Sequence, residues 1–210
     1  MERTAVGHVD HVILGVRDVD DTATRLHDEF GFLATGVAVV DGTPWVNRAV
    51  PLGRGSYLEL LGVGDPSAPE AAGLAALVAE RDRLVAWAVR LHDLGPVARR
   101  AGVRPVPGSR GGAPGPRWWT VDADPDRRTN GFLPFFISYG PDADASHLEP
   151  HHTGAARTVD GIAVLELAGP DPEPILDWLD DLPPEIRVVD GEMAIRALEI
   201  RTAAGGIRLE

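Results

Sequence analysis

Apolar residues recur along this chain in three blocks of the same shape. Each opens with an apolar run, passes into a stretch of helical spacing, and closes with further strand-like runs. Val9-Asp10-His11-Val12-Ile13-Leu14-Gly15-Val16 opens the first, Leu84-Val85-Ala86-Trp87-Ala88-Val89 the second, and Val159-Asp160-Gly161-Ile162-Ala163-Val164-Leu165 the third. The starts at 9, 84 and 159 are 75 residues apart each time. In the first block Asp18, Asp20 and Asp21 suit a helix N-terminus through capping and the macrodipole. Val19, Ala23, Leu26 and Phe30 then fall at helical spacing, and Gly31 stands where a C-cap belongs. Strands are expected over 32–40, 45–50 and 56–63, which gives the order βαβββ. The second block repeats it with a helix over 93–102 and strands over 117–122 and 131–139. The third has a helix over 171–179 and strands over 185–189, 194–202 and 207–210.

These boundaries divide the chain into a domain of two βαβββ modules over 1–140 (9–63 and 84–139), a linker over 141–158, and a shorter βαβββ-like module over 159–210. A helix is expected around 70–79 in the connector between the first two modules. Gly108–Pro116 is rich in glycine and proline and is expected to be a loop. A repeated unit of this size cannot bury its own apolar face, so the copies pair or stack. The expected class is α+β: a curved, half-open, barrel-like mixed sheet with helices outside. The third module packs on the same domain or serves dimerisation, since an odd copy leaves an apolar edge to cover.

Composition narrows the function. The net charge of −12 and a pI near 4.9 oppose binding to nucleic acid or to anionic membranes. Cysteine is absent, which excludes disulfides, thiol nucleophiles and cysteinyl metal sites. No run approaches the ~18 apolar residues of a membrane span, and the first residues lack a signal-peptide pattern. A cytoplasmic protein with a small-molecule ligand is the expectation. No phosphate loop, nucleophile elbow or dinucleotide fingerprint is found.

Two polar residues interrupt otherwise apolar strands. His11 lies in the first strand, and Glu59 stands between Leu58 and Leu60, on the opposite face from both. An ionised carboxylate turned inward must be paired or ligating. By the same alternation His8 and His11 face opposite sides. His147, His151 and His152 fall in the linker.

A βαβββ unit that opens with apolar-Asp-His-apolar and closes with Tyr57-Leu58-Glu59-Leu60 resembles the vicinal oxygen chelate superfamily, the glyoxalase/bleomycin resistance/dioxygenase fold. Gly42-Thr43, Asn47 and the later Leu133-Pro134-Phe135-Phe136-Ile137 resemble its glyoxalase-like group. The resemblance implies paired modules around a concavity that holds a divalent cation, with ligands from a first-strand His and a fourth-strand Glu. Those positions are His11 and Glu59, and imidazole with carboxylate suits Fe, Mn, Ni, Co or Zn. Glu59 is also the candidate catalytic group, and Asn47, Trp45, Tyr57, Trp87 and Phe135 are candidates for the substrate pocket.

The other copies depart from the pattern. Opposite His11, the second copy offers Leu84 or Val85 and the third Gly161. Opposite Glu59, the second offers Phe136, Ile137 or Ser138, and the third ends in Glu210. The site is incomplete in sequence. Two readings therefore stand: a metal-dependent lyase, isomerase or dioxygenase acting on a small oxygen-bearing molecule, and a metal-free small-molecule binding protein of the resistance type. A structural dimer module is a third.

Overall fold

The computed structural model describes residues 7–109, 111–112, 117–126, 128–140 and 159–210. The linker histidines and much of the Gly108–Pro116 loop lie outside the described residues. The first module runs β1 (His8–Gly15), α1 (Val19–Phe30), β2 (Ala38–Val39), β3 (Trp45–Gly53) and β4 (Ser56–Val63). After α2 (Ala71–Leu77), the second runs β5 (Arg83–Arg90), α3 (Gly95–Ala101), β6 (Val106–Gly108), β7 (Trp118–Asp122) and β8 (Phe135–Tyr139). The third runs β9 (Val159–Ala168), α4 (Glu173–Leu176), β10 (Ile186–Val189), β11 (Ala194–Thr202) and β12 (Gly205–Leu209).

The local signals act as their chemistry dictates. The Asp18 carboxylate caps α1 by accepting from the backbone N–H groups of Asp20 and Asp21 at 2.8 and 3.0 Å. Gly31 closes the helix in the left-handed region at φ 73°. The expected strand over 32–40 is short, because Phe32 turns into the core and only Ala38 and Val39 pair with β3. Thr35 instead ties the chain down: its hydroxyl accepts from the Ala49 N–H and its carbonyl from Arg48 Nε.

The first two modules share one eight-stranded sheet, ordered β2-β3-β4-β1-β5-β8-β7-β6, curled into a half-barrel. Each module pairs its first strand parallel with its last, β1 with β4 and β5 with β8. The modules meet where β1 and β5 run antiparallel. Val12 and Leu14 of β1, Leu58 and Leu60 of β4, and Trp87 and Val89 of β5 point to the convex side, where Leu26 of α1 and Val97 of α3 complete the core. The opposite, concave face carries the polar residues.

The third unit keeps the βαβββ order along the chain but not the pairing. Its sheet is ordered β10-β9-β11-β12, so β9 lies inside the sheet, parallel to β10 and antiparallel to β11. It packs on the convex side: Leu165, Leu167, Ile175 and Ile200 belong to the same core as Leu52 and Phe136. The approach is tight at Gly53, where φ is 83° and a Cβ would stand 2.9 Å from the Val159 carbonyl oxygen.

Trp87, a pocket candidate by sequence, belongs to this convex core. It is fully buried and donates from its indole N–H to the Phe132 carbonyl at 3.3 Å. Trp87→Ala should therefore cost about 3–5 kcal/mol by denaturant unfolding, while any ligand that binds the concave face binds the folded variant as it binds the parent.

Candidate functional site

The site begins with a β-bulge. Along the β1–β5 seam, Val9 is opposite Val89 and His11 opposite Ala88, so Asp10 is an extra residue in β1. A bulge places two consecutive side chains against one partner residue and turns both toward the same face. It also interrupts the alternation that separates His8 from His11. Asp10 and His11 thereby meet on the concave side, with His11 Nδ1 2.7 Å from Asp10 Oδ1. Neighbours on a regular strand would point apart.

Asp10 has no solvent exposure, so its charge must be met inside the protein. Arg90 of β5 pairs with Oδ2, and the Tyr139 hydroxyl of β8 donates to Oδ1 at 2.9 Å. Burial opposes ionisation of Asp10, but the hydrogen bond and charge of His11, the Arg90 guanidinium and Tyr139 outweigh it and hold the carboxyl below the ordinary range. Tyr57 donates in turn to Tyr139. Burial, with Tyr139, Asp10 and Glu59 nearby, raises the Tyr57 hydroxyl well above its ordinary value, so it remains a donor.

On the other side of the imidazole, His11 Nε2 lies 3.4 Å from Glu59 Oε2. The Asn47 amide donates to Glu59 Oε1 at 2.7 Å. A carboxylate only accepts, so this bond fixes the amide orientation and turns Asn47 Oδ1 away from Glu59. That oxygen is buried and has no partner among the described residues. Tyr57 stacks on the imidazole with centroids 4.5 Å apart, and Phe135 meets it edge-on at 5.3 Å. Asp10 thus stands at Nδ1 of the ring and Glu59 at Nε2. The line Asp10–His11–Glu59 is an imidazole held between two carboxylates.

The structure thus brings together His11, Glu59, Asn47, Tyr57 and Phe135. Trp45 stands outside this cluster, half-buried at the other end of β3 opposite Val63, where it lines an adjoining cleft with Ile13 and Leu61. Asp10, Arg90 and Tyr139 were not among the sequence candidates. Asp10 was legible in one respect: Val9-Asp10-His11-Val12 sets two polar residues between two core residues, which breaks a period of two.

The two modules are related by a pseudo-twofold axis, and this corrects the expected alignment of the copies. A second register shift falls where Ile13 is opposite Ala86 and Leu14 opposite Leu84, which makes Val85 the extra residue in β5. Asp10 and His11 therefore correspond to Val85 and Ala86. Glu59 pairs with Ile13 as Phe135 pairs with Ala88, so Phe135 is the counterpart of Glu59. Neither Leu84 nor a residue over 136–138 stands in those places. The second module contributes no donor there, and no group of three or more His, Asp or Glu able to hold a metal is found among the described residues. His11 Nε2 and Glu59 supply two donors, fewer than the three protein ligands of an open metal site, so the described residues do not by themselves complete a cation site.

The family model described as a glyoxalase-like domain matches residues 9–183. The chain belongs to the glyoxalase-like domain family. No curated protein matches the sequence. Among solved structures, this glyoxalase-like chain is similar over 98% of its length, and 99% of the other chain, to a hypothetical protein from Staphylococcus aureus, with TM-score 0.64 and 15% identity. It is also similar to a variant methylmalonyl-CoA epimerase from Streptomyces coelicolor in complex with 2-nitronate-propionyl-CoA, with TM-score 0.50 and 19% identity over 65% of this chain and 97% of that one. A methylmalonyl-CoA epimerase in complex with methylmalonyl-CoA and NH4+ matches with the same TM-score, identity and coverage. These likenesses establish the fold.

Removing one side of the buried Asp10–Arg90 pair strands the other charge. Asp10→Ala should cost about 3 kcal/mol or more by urea unfolding. Because the folded value of Asp10 lies below its unfolded one, its contribution is fully present above about pH 4 and is lost as pH falls through the folded value. Acid titration followed by circular dichroism should show a shallower acid-side loss of stability in folded Asp10→Asn than in the parent.

Proposed function

We propose that the concave face of this glyoxalase-like protein binds a small oxygen-bearing molecule and moves a proton on it with its own side chains, without a resident metal. The observation that carries this reading is the buried line Asp10–His11–Glu59, with Asn47 holding Glu59 and presenting a second, unpartnered acceptor. Glu59 takes a proton from carbon next to a carbonyl of the ligand. The His11 Nε2–H, fixed from behind by Asp10, hydrogen-bonds the oxyanion that forms. Return of the proton to another position or face gives isomerase- or epimerase-type chemistry. Asn47 Oδ1 accepts from a hydroxyl of the ligand. Solved epimerases of the same fold hold acyl-CoA esters, which is consistent with a carbonyl-bearing ligand.

The metal-dependent alternative loses weight because Ala86 and Phe135 occupy the second module's ligand places. A binding protein without turnover uses the same residues, and one experiment separates the readings. Short 2-oxo and 2-hydroxy acids are incubated with the protein in deuterated water, and exchange beside the carbonyl is followed by NMR. We expect exchange that survives dialysis against a chelator and falls at least about hundredfold in Glu59→Gln, with binding retained. Binding without exchange for every probe would favour the binding protein. Loss on chelation and recovery with a divalent cation would overturn the metal-free mechanism.

A further inference from the structure

The pseudo-twofold axis gives the concavity a second half, and that half is a cleft of about 1010 Å³. It begins at the neighbours of Glu59: Ile13 is the register partner of Glu59 on β1, and Leu61 follows two residues later on β4, on the same face. Where the first half has Asp10 and His11, this one has Val85 and Ala86. Helix α2 closes one side, with Leu74 only 3.0 Å from where a Cβ on Gly15 would stand. This helix, Ala-Ala-Gly-Leu-Ala-Ala-Leu, carries no charged residue, yet its Leu77 at the cleft mouth is 45% exposed. Met193 and Ile195 of the third unit form the opposite wall.

One buried donor in the wall of this cleft has no partner among the described residues. Arg83 at the start of β5 is half-buried, and its Nε is a buried donor with no partner. It lines the cleft together with the exposed Arg81 and Arg196. The carboxylates of the same cleft, Glu70, Glu192 and Glu210, are all exposed, and Glu210 is held by Arg208 at 2.9 Å. Water screens those carboxylates, whereas the half-buried guanidinium keeps most of its field. An orphaned guanidinium donor in an apolar wall is completed by a carboxylate or phosphate oxygen.

We propose that this cleft binds the remainder of the ligand: an apolar chain of medium length that ends in an anionic group, with the anion on Arg83 and the chain along Leu74, Val85 and Met193. This rests on the reading of the concave face as the ligand site and specifies the ligand's class, an amphipathic acid with its oxygenated end at Glu59.

Three chains of equal length and different head serve as probes in isothermal titration calorimetry: octanoate, octylammonium and octan-1-ol. Octanoate should bind at least about tenfold more tightly than octylammonium, the size expected of a charge-assisted hydrogen bond. Arg83→Gln should erase that preference and leave octanol binding unchanged. The surface variant Leu77→Asp, which does not threaten folding, should weaken octanoate and favour octylammonium. Equal affinities of the two charged probes, an unaltered preference in Arg83→Gln, or no binding of any chain would overturn the proposal. The calorimetry reads the binding of chains that need no proton transfer. A failure of the proton-transfer reading therefore shows only in the exchange experiment, and a failure of the anion cleft only here.

Discussion

The buried charge of Asp10 is the constraint on which the rest of the molecule depends. A carboxylate with no solvent exposure is tolerated only when every lone pair is met. Here the partners come from three strands: His11 beside it on β1, Arg90 on β5 and Tyr139 on β8. Two of these belong to the second module. The interaction that makes the concave face chemically active is thus also one that locks the two modules in register across the β1–β5 seam. Arg90 extends the clamp by donating to the Gly55 carbonyl at 3.1 Å, which ties the β3–β4 turn to the same point. A fold built from two copies of one unit would otherwise hold its halves together only by backbone pairing and a shared apolar core.

Duplication also explains why the concavity is lopsided. The pseudo-twofold maps Asp10 to Val85, His11 to Ala86 and Glu59 to Phe135, and it maps Trp45 opposite Val63 to Trp118 opposite Tyr139. The backbone device, a bulge at the same point of each first strand, is kept in both modules. Only the side chains it presents differ. One half carries an imidazole between two carboxylates, and the other carries small apolar residues that leave room. A symmetric pair of polar halves would bring two sets of buried charges into one cavity. Making one half apolar lowers that desolvation cost and turns the freed volume into space for a ligand.

Much of this was legible in the sequence, and the failures share a cause. The repeat, the helix caps at Asp18 and Gly31, and the inward turn of Glu59 follow from periodicity and local chemistry, which act within a few residues. The pairing of the third unit did not follow, because βαβββ order along the chain does not fix which strand lies inside the sheet. The assignments of Leu84 or Val85 to the place of His11 missed the 75-residue spacing by one or two residues: that spacing carries His11 to Ala86, and the bulge, present in both modules, leaves it intact. The face of Trp87 is decided by the extra residue Val85 two positions earlier in β5, which only the paired strand reveals. Arg90 and Tyr139 are ordinary strand-end residues in sequence, and their partner is 80 and 129 residues away.

The third unit acquires a reason from the same asymmetry. Its sheet covers the convex core, yet the segment that joins β10 to β11 reaches the rim of the half-barrel, where Gly131 accepts the close approach of Ile195 at 3.1 Å from a would-be Cβ. Gly131 sits at φ 80°, and a Cβ there would also stand 2.7 Å from the Val85 carbonyl, so a side chain at this position is excluded on two counts. The contact brings Met193 and Ile195 to the wall of the apolar half. The half that lost its polar groups is thus walled in part by the third unit, which elsewhere meets His8, Arg54 and Ser56 through Gly161, Ile162, Ala163 and Glu185. Likeness to the Staphylococcus aureus structure over 98% of the chain shows that the whole three-part arrangement, not the half-barrel alone, is the recurring architecture.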